Sequence, residues 1–246
     1  GKPPDPVCVT VARNQLSNFL AFWGSQFCDV VVLPLPDWLT EPNPAAPEIQ
    51  NKIPGHIEAQ LRPHQTEAVR FFFEKGGRIC VGDEMGLGKT RVVCALAAIL
   101  KVPTLVICPS GLRYNWEKEL LQVFGLQSRA YVQASTPLDP LDSNTVDIGS
   151  YSWMVSNCAQ IARRGYQLVV FDESHYLKSP QAARSKIAMR ICKAPYLVLL
   201  SGTPMSRSKD VFSHLRLLDH RFSKKFFPFT GFYPAGQETT FFAHRY

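Results

Sequence analysis

No stretch of this 246-residue chain has the roughly 18–20 consecutive apolar residues a bilayer-crossing helix needs, so no membrane segment is expected. No basic-plus-apolar secretory signal opens it, and it does not begin with Met, which reads as a piece cut from a longer protein. Its seven cysteines include no Cys-x-x-Cys pair. An odd, scattered set without ligand spacing argues against disulfides or zinc and for a reducing compartment. Cys80, Cys94, Cys108 and Cys192 fall in apolar runs, where Cys acts as a small hydrophobe. There is no internal repeat. Acidic residues are the minority: 20 Asp and Glu against 27 Lys and Arg give a formal charge of +7. That balance suits a polyanion partner or, equally, an ordinary solvated basic face.

What is present falls into three parts. Residues 1–52 carry Pro at 3, 4, 6, 34, 36, 42, 44 and 47. Residues 34–47 cannot form a helix or a central strand and read as a linker. Ahead of them, residues 7–32 suit a small strand-and-helix appendage, with Phe19, Phe22, Trp23 and Phe27 at helical spacing. From residue 53 to 220 the pattern is regular. Strands are expected at 78–82, 104–108, 129–133, 147–150, 168–171 and 196–200. Helices are expected at 63–73, 89–100, 112–124, 181–191 and 209–218. Uniformly apolar strands alternating with helices predict an α/β fold, a mostly parallel sheet with helices on both faces. Residues 221–246 are crowded with aromatics, from Phe222 to Tyr246. Such a surface needs cover, from the rest of the fold or from chain beyond it; a base-stacking platform is the alternative.

Two segments carry the chemistry. Asp83-Glu84-Met85-Gly86-Leu87-Gly88-Lys89-Thr90 follows the first strand and opens a helix. Gly86 and Gly88 let the backbone wrap a phosphate with its N–H groups, and the helix amino end adds partial positive charge. Lys89 reaches the β- and γ-phosphates, and the Thr90 hydroxyl suits Mg2+. The usual loop opens with Gly where this one has Asp83. The second segment is Asp172-Glu173-Ser174-His175, at the carboxyl end of the strand expected at 168–171. In a parallel sheet both strand ends open on one edge. There Asp172 would hold Mg2+, and Glu173 would orient and deprotonate a water. Alone, an acidic pair could merely start a turn. His175 either links this segment to Ser201-Gly202-Thr203-Pro204 or caps the loop.

These motifs resemble, in content and order, those of the Swi/Snf-type helicase-related ATPases of superfamily two. The Asp-first loop is one match; Asp-Glu-Ser-His is another. Leu61-Arg62-Pro63-His64-Gln65 resembles the upstream motif whose Gln reads the adenine edge. Leu105-Val106-Ile107-Cys108-Pro109-Ser110, with Trp116 after it, resembles the first DNA-contact motif, and residues 147–151, ending at Tyr151, the next. Leu200-Ser201-Gly202-Thr203-Pro204 resembles the coupling motif, which assigns Ser201 and Thr203 to coupling. Within the family the likeness is greatest to the HepA-related annealing helicases, carried by Lys75-Gly76-Gly77-Arg78, by Ser174 and by Met205-Ser206-Arg207.

The resemblance implies a RecA-like P-loop lobe that uses ATP and Mg2+, with Gln65, Asp83, Gly86, Gly88, Lys89 and Thr90 at the nucleotide. It implies DNA as partner, met through the backbone, with Ser110 and Tyr151 as contacts, and it implies the nucleus. Ser110 at a helix start suits a phosphate oxygen, or is an ordinary cap. Trp116 is expected in the core. Lys178, Arg184 and Lys186 line the DNA path or form a solvated face. Gln65 is otherwise a solvated polar residue. A complete motor of this kind also has a second RecA-like lobe supplying an arginine, and nothing in residues 1–246 reads as that lobe. The competing functions are a strand-separating DNA or RNA helicase lobe and a non-catalytic module that binds DNA or a partner through a nucleotide-shaped fold.

Overall fold

Runs rich in Val, Ile and Leu are too apolar to leave either face in water, and here they form the centre of one sheet. The computed structural model describes residues 10–12, 53–74, 76–83, 85–133, 135–202, 213–214 and 216–218. Its strands are β1 (Thr10–Ala12), β2 (Arg78–Val81), β3 (Thr104–Cys108), β4 (Gln127–Tyr131), β5 (Thr145–Ser150), β6 (Leu168–Phe171) and β7 (Tyr196–Leu200). Its helices are α1 (Gly55–Glu58), α2 (Pro63–Glu74), α3 (Lys89–Leu100), α4 (Arg113–Phe124), α5 (Tyr151–Ser156), α6 (Cys158–Arg163) and α7 (Ala183–Ile191), with single 3₁₀ turns at Ser110–Leu112 and Ser174–Leu177.

The sheet order is β1-β2-β7-β6-β3-β5-β4, parallel throughout except for β1, which pairs antiparallel with β2. Every residue of β2, β3, β6 and β7 is buried. The two-residue period then sends alternate side chains into two cores. Val106, Val170, Val198 and Leu200 face α2, α3 and α4 with Phe72, Leu96 and Leu120. Leu105, Val169, Phe171 and Leu199 face α5, α6 and α7 with Trp153, Met154 and Ala188. The chain is therefore the expected α/β layer arrangement, helices on both faces. Burial pushes the thiols of Cys80 and Cys108 up to about 12, so they stay protonated and act as packing groups. No helix among the described residues is long and apolar enough to cross a membrane.

Several details differ from the pattern-based expectation. Strand β4 lies at 127–131, two residues earlier than 129–133. Gly125, at φ 64°, ends α4: its N–H donates to the Leu121 carbonyl and that of Leu126 to the Leu120 carbonyl, and the chain extends at once. As an edge strand with a mostly half-buried, largely polar sequence, β4 has no apolar run to mark its start. Helices α5 and α6 were not foreseen because each is six residues long, too short for a periodic signal. The Ser150 hydroxyl caps α5 by accepting from the Trp153 N–H at 3.1 Å. Strand β1 adds a segment from the Pro-rich amino-terminal part to the sheet edge. The helices expected near Phe19–Phe27, most of the 209–218 helix and the aromatic tail lie outside the described residues.

At the far, amino-terminal edge of the sheet sits a buried cation. Arg78 donates to the carbonyls of Cys192, Ala194, Leu217 and Leu218 at 2.6–2.9 Å. It thereby gathers the carboxyl end of α7 and the helical residues 216–218 onto β2; helix carboxyl ends favour a cation. Replacing Arg78 by Met would leave several buried carbonyls unpaired, costing about 3 kcal/mol or more. At about 2–4 °C per kcal/mol for a domain of this size, thermal unfolding should begin about 6–12 °C lower. An unchanged melting temperature would show that these carbonyls find other donors.

Candidate functional site

The register sets the site. Val81 pairs with Leu200, Phe171 with Leu199 and Ile107, and Cys108 with Ser150. The residues following β2, β7, β6, β3 and β5 therefore emerge side by side on one sheet edge. In that order they are the Asp83–Thr90 loop, Ser201, Asp172 with Glu173, Ser110, and Tyr151. Strand β7 alone separates β2 from β6, so the loop and the acidic pair stand two strand spacings apart, about 10 Å.

The loop is built around two left-handed glycines, Gly86 at φ 86° and Gly88 at φ 80°. Gly88 is required twice over, because a Cβ there would sit 2.4 Å from Gln65 Nε2. Gln65 is 2% exposed. Its amide nitrogen donates to the Leu87 and Gly88 carbonyls at 3.0 and 3.3 Å, and its Oε1 accepts from the Arg62 N–H at 3.0 Å. The solvated alternative for Gln65 is thus excluded: α2 fastens the loop through this side chain. His64, which precedes Gln65 in the same motif and was given no role of its own, adds a 3.0 Å contact from Nε2 to the Leu87 carbonyl. Lys89, first residue of α3, donates to the Asp83 carbonyl at 2.7 Å, and Thr90 follows it in the opening turn. Asp83 itself is buried. A Cβ on Gly202 would lie 2.8 Å from Met85 Cγ and 3.8 Å from Lys89 Nζ, so the turn after β7 rests against the loop.

Across from it, Asp172 is buried and doubly held. Oδ2 accepts from the Trp116 indole N–H at 2.8 Å and Oδ1 from the Glu173 N–H at 2.9 Å. Burial lifts the Asp172 carboxyl above the ordinary carboxylate range. The indole opposes that shift, neighbouring Glu173 adds to it, and the Lys89 ammonium pulls the other way. Lys89 is therefore within electrostatic reach of Asp172. Glu173 is a non-glycine residue at φ 51°, a strained conformation that persists only where its surroundings impose it. Its Oε2 lies 3.1 Å from His175 Nδ1, which is also 3.4 Å from Ser201 Oγ. His175 thus bridges the acidic segment and the turn after β7; Thr203 is outside the described residues. Ser174 Oγ and His214 Nε2, both buried, meet at 2.8 Å.

The two expected DNA contacts separate. Ser110 is exposed at the head of its 3₁₀ turn, and neither that turn nor α4 takes a side-chain cap. Tyr151 is only 7% exposed, its hydroxyl donating to the Asp172 carbonyl at 2.7 Å. Its side chain thus faces the interior, because an aromatic ring at the start of α5 gains more from burial against Tyr176, stacked at 5.3 Å, than from solvent. Arg184 covers the outer Tyr176 ring at 5.5 Å. Asp147, at the start of the same motif, is buried in β5 and accepts from Arg129 and Tyr166. Trp116 is in the core as expected, yet its indole had to find an acceptor there.

Among the described residues no cluster of three His, Cys, Asp or Glu could hold a metal by itself. A hydroxyl and one carboxylate facing a phosphate loop instead match Mg2+, which keeps waters and takes phosphate oxygens for the rest. Asp172 fits that part: it is a buried carboxylate at the sheet edge from which the glycine loop also emerges.

Comparison with known proteins agrees with this architecture. The family model for the SNF2-related domain matches residues 64–230. The Caenorhabditis elegans homologue of SWI/SNF-related matrix-associated actin-dependent regulator of chromatin subfamily A-like protein 1 is 39% identical over 206 residues, covering 80% of this chain and 30% of the relative. Human DNA annealing helicase and endonuclease ZRANB3 is 31% identical over 185 residues, 71% of this chain and 17% of the relative. The chain thus spans under a third of the length of these relatives. Among solved structures, the Sulfolobus solfataricus SWI2/SNF2 ATPase core in complex with dsDNA matches with a TM-score of 0.61 and 27% identity, over 77% of this chain and 44% of that one.

Proposed function

The chain belongs to the SNF2-related domain family, and on that premise we propose that it is the first RecA-like lobe of a DNA-dependent ATPase. In this reading it works with a second lobe to convert ATP to ADP and phosphate while tracking a DNA backbone, and it remodels or reanneals DNA in the nucleus. The observation that carries the reading is the convergence of Lys89 and Asp172–Glu173 on one sheet edge, with Ser201 between them. The relatives' printed names, an annealing helicase and a chromatin regulator, and the dsDNA-bound structural neighbour support the choice of DNA over RNA.

The loop from Asp83 to Gly88 offers backbone N–H groups to the β-phosphate, and Lys89 leaves the Asp83 carbonyl for phosphate oxygens. Thr90 and Asp172 would hold Mg2+, which supplies charge neutralisation at the transferring phosphoryl group. Glu173 accepts the proton of the attacking water, its backbone already set in the required turn. His175 and Ser201 pass the state of that carboxylate to the turn after β7. Ser110, exposed beside them, takes a phosphate of the DNA; contacts of this kind are sequence-blind and salt-sensitive.

In the full-length protein, Lys89→Ala is expected to abolish DNA-stimulated ATP hydrolysis, measured as phosphate release, while duplex binding without nucleotide persists. Undiminished hydrolysis in that variant would count against a phosphate-loop role, and would favour a non-catalytic module.

A further inference from the structure

The two segments that resemble DNA-contact motifs each place a hydrogen-bond donor on a single residue, Asp172. The exposed turn Ser110–Leu112 leads directly into α4, and one turn along that helix the buried Trp116 donates to Asp172 Oδ2 at 2.8 Å. Tyr151, first residue of α5, donates to the Asp172 carbonyl at 2.7 Å. The two bonds act on different parts. Trp116 fixes the rotation of the carboxylate assigned to Mg2+. Tyr151 fixes the peptide joining Asp172 to Glu173, and so aims the assigned base, whose left-handed φ of 51° depends on that peptide plane. A helix is stiff over one turn, so displacement of its exposed head moves the donor with it.

We propose that Trp116 and Tyr151 are positioning residues that transmit backbone contact with duplex DNA to Asp172 and Glu173. This coupling rests on the ATPase reading given above. An indole N–H held on a carboxylate inside the protein is a charge-assisted bond, stronger than its surface counterpart. Engagement of Ser110 by a phosphate would hold α4, and with it the carboxylate, in the metal-binding setting. By reciprocity, bound Mg·nucleotide would tighten the grip on DNA by the same factor.

The test uses the full-length, two-lobed protein as wild type, Trp116→Phe and Tyr151→Phe. A fluorescent, non-hydrolysable ATP analogue is titrated at several Mg2+ concentrations, with and without duplex DNA, alongside steady-state hydrolysis and thermal unfolding. In wild type the duplex should tighten nucleotide binding by about 5–150-fold, the usual range of such couplings. Trp116→Phe should raise the Mg2+ concentration needed for binding by about tenfold and cut the DNA effect to about twofold or less, the loss of one such coupling bond. Tyr151→Phe should lower kcat with KM little changed, and should also weaken the DNA effect. A purely structural role would lower the melting temperature while leaving the ratio with and without DNA unchanged. That result, in folded variants, overturns the proposal. If Trp116→Phe does not fold, Tyr151→Phe, which removes one hydroxyl, decides alone. A wild-type protein with no DNA-dependent hydrolysis would instead overturn the ATPase reading itself.

Discussion

Glu173→Gln in the full-length protein is expected to bind ATP as wild type does and to turn it over about 10²–10⁴-fold more slowly, the usual contribution of a general base. The substitution changes one oxygen to an amide nitrogen. It changes no atom of the backbone at φ 51°, of Asp172 or of the glycine loop, so the loop and Lys89 should bind nucleotide normally. What is lost is a proton acceptor beside the place assigned to the attacking water. Nucleotide affinity from equilibrium titration and rate from single-turnover hydrolysis separate the two effects. Normal turnover in this variant would move the base assignment elsewhere. Reduced affinity with normal turnover would mean that Glu173 orders the loop and does no chemistry.

The 246-residue chain by itself is expected to bind ATP weakly and to hydrolyse it slowly or not at all. Every group assigned to catalysis lies on one sheet edge: Lys89 and Thr90 after β2, Asp172 and Glu173 after β6. In related nucleotide hydrolases an arginine delivered from outside this set is worth about 10³–10⁵ in rate. The relatives matched here are more than three times as long as the aligned region, which leaves room for such a donor in their remainder. Comparing phosphate release by this chain with release by the full-length protein, both with saturating duplex, measures the difference. Substantial DNA-stimulated turnover by the 246-residue chain would show that its own residues complete the site.

Much of the site was legible without coordinates, because the signals are local. Gly86, Gly88, Lys89 and Thr90 lie within five residues of one another, between a run that must be buried and a helix that must begin. Asp172 and Glu173 end a four-residue apolar run in the same way. Parallel strands alone then place both groups on one edge. Less legible were groups whose partners are far along the chain. Trp116 read as core, and is core, but its indole finds its acceptor 56 residues away. Tyr151 read as a surface contact because its motif resembles one, while its hydroxyl serves Asp172 from inside. Gln65 read as an adenine contact, and here it clamps the loop that it approaches from α2.

Periodicity and turn chemistry are properties of neighbours in sequence, so they set the strands, the helices, the glycine loop and the acidic strand end before any packing is known. The sheet order is not of that kind. That β7 lies between β2 and β6, bringing Ser201 between the Lys89 loop and Glu173 and within 3.4 Å of His175, was decided only when the strands packed. The same holds for Arg78, whose four carbonyl partners lie 114–140 residues away. A buried polar group must be satisfied, and the sequence states that need; which partner meets it depends on which surfaces the closed fold brings together.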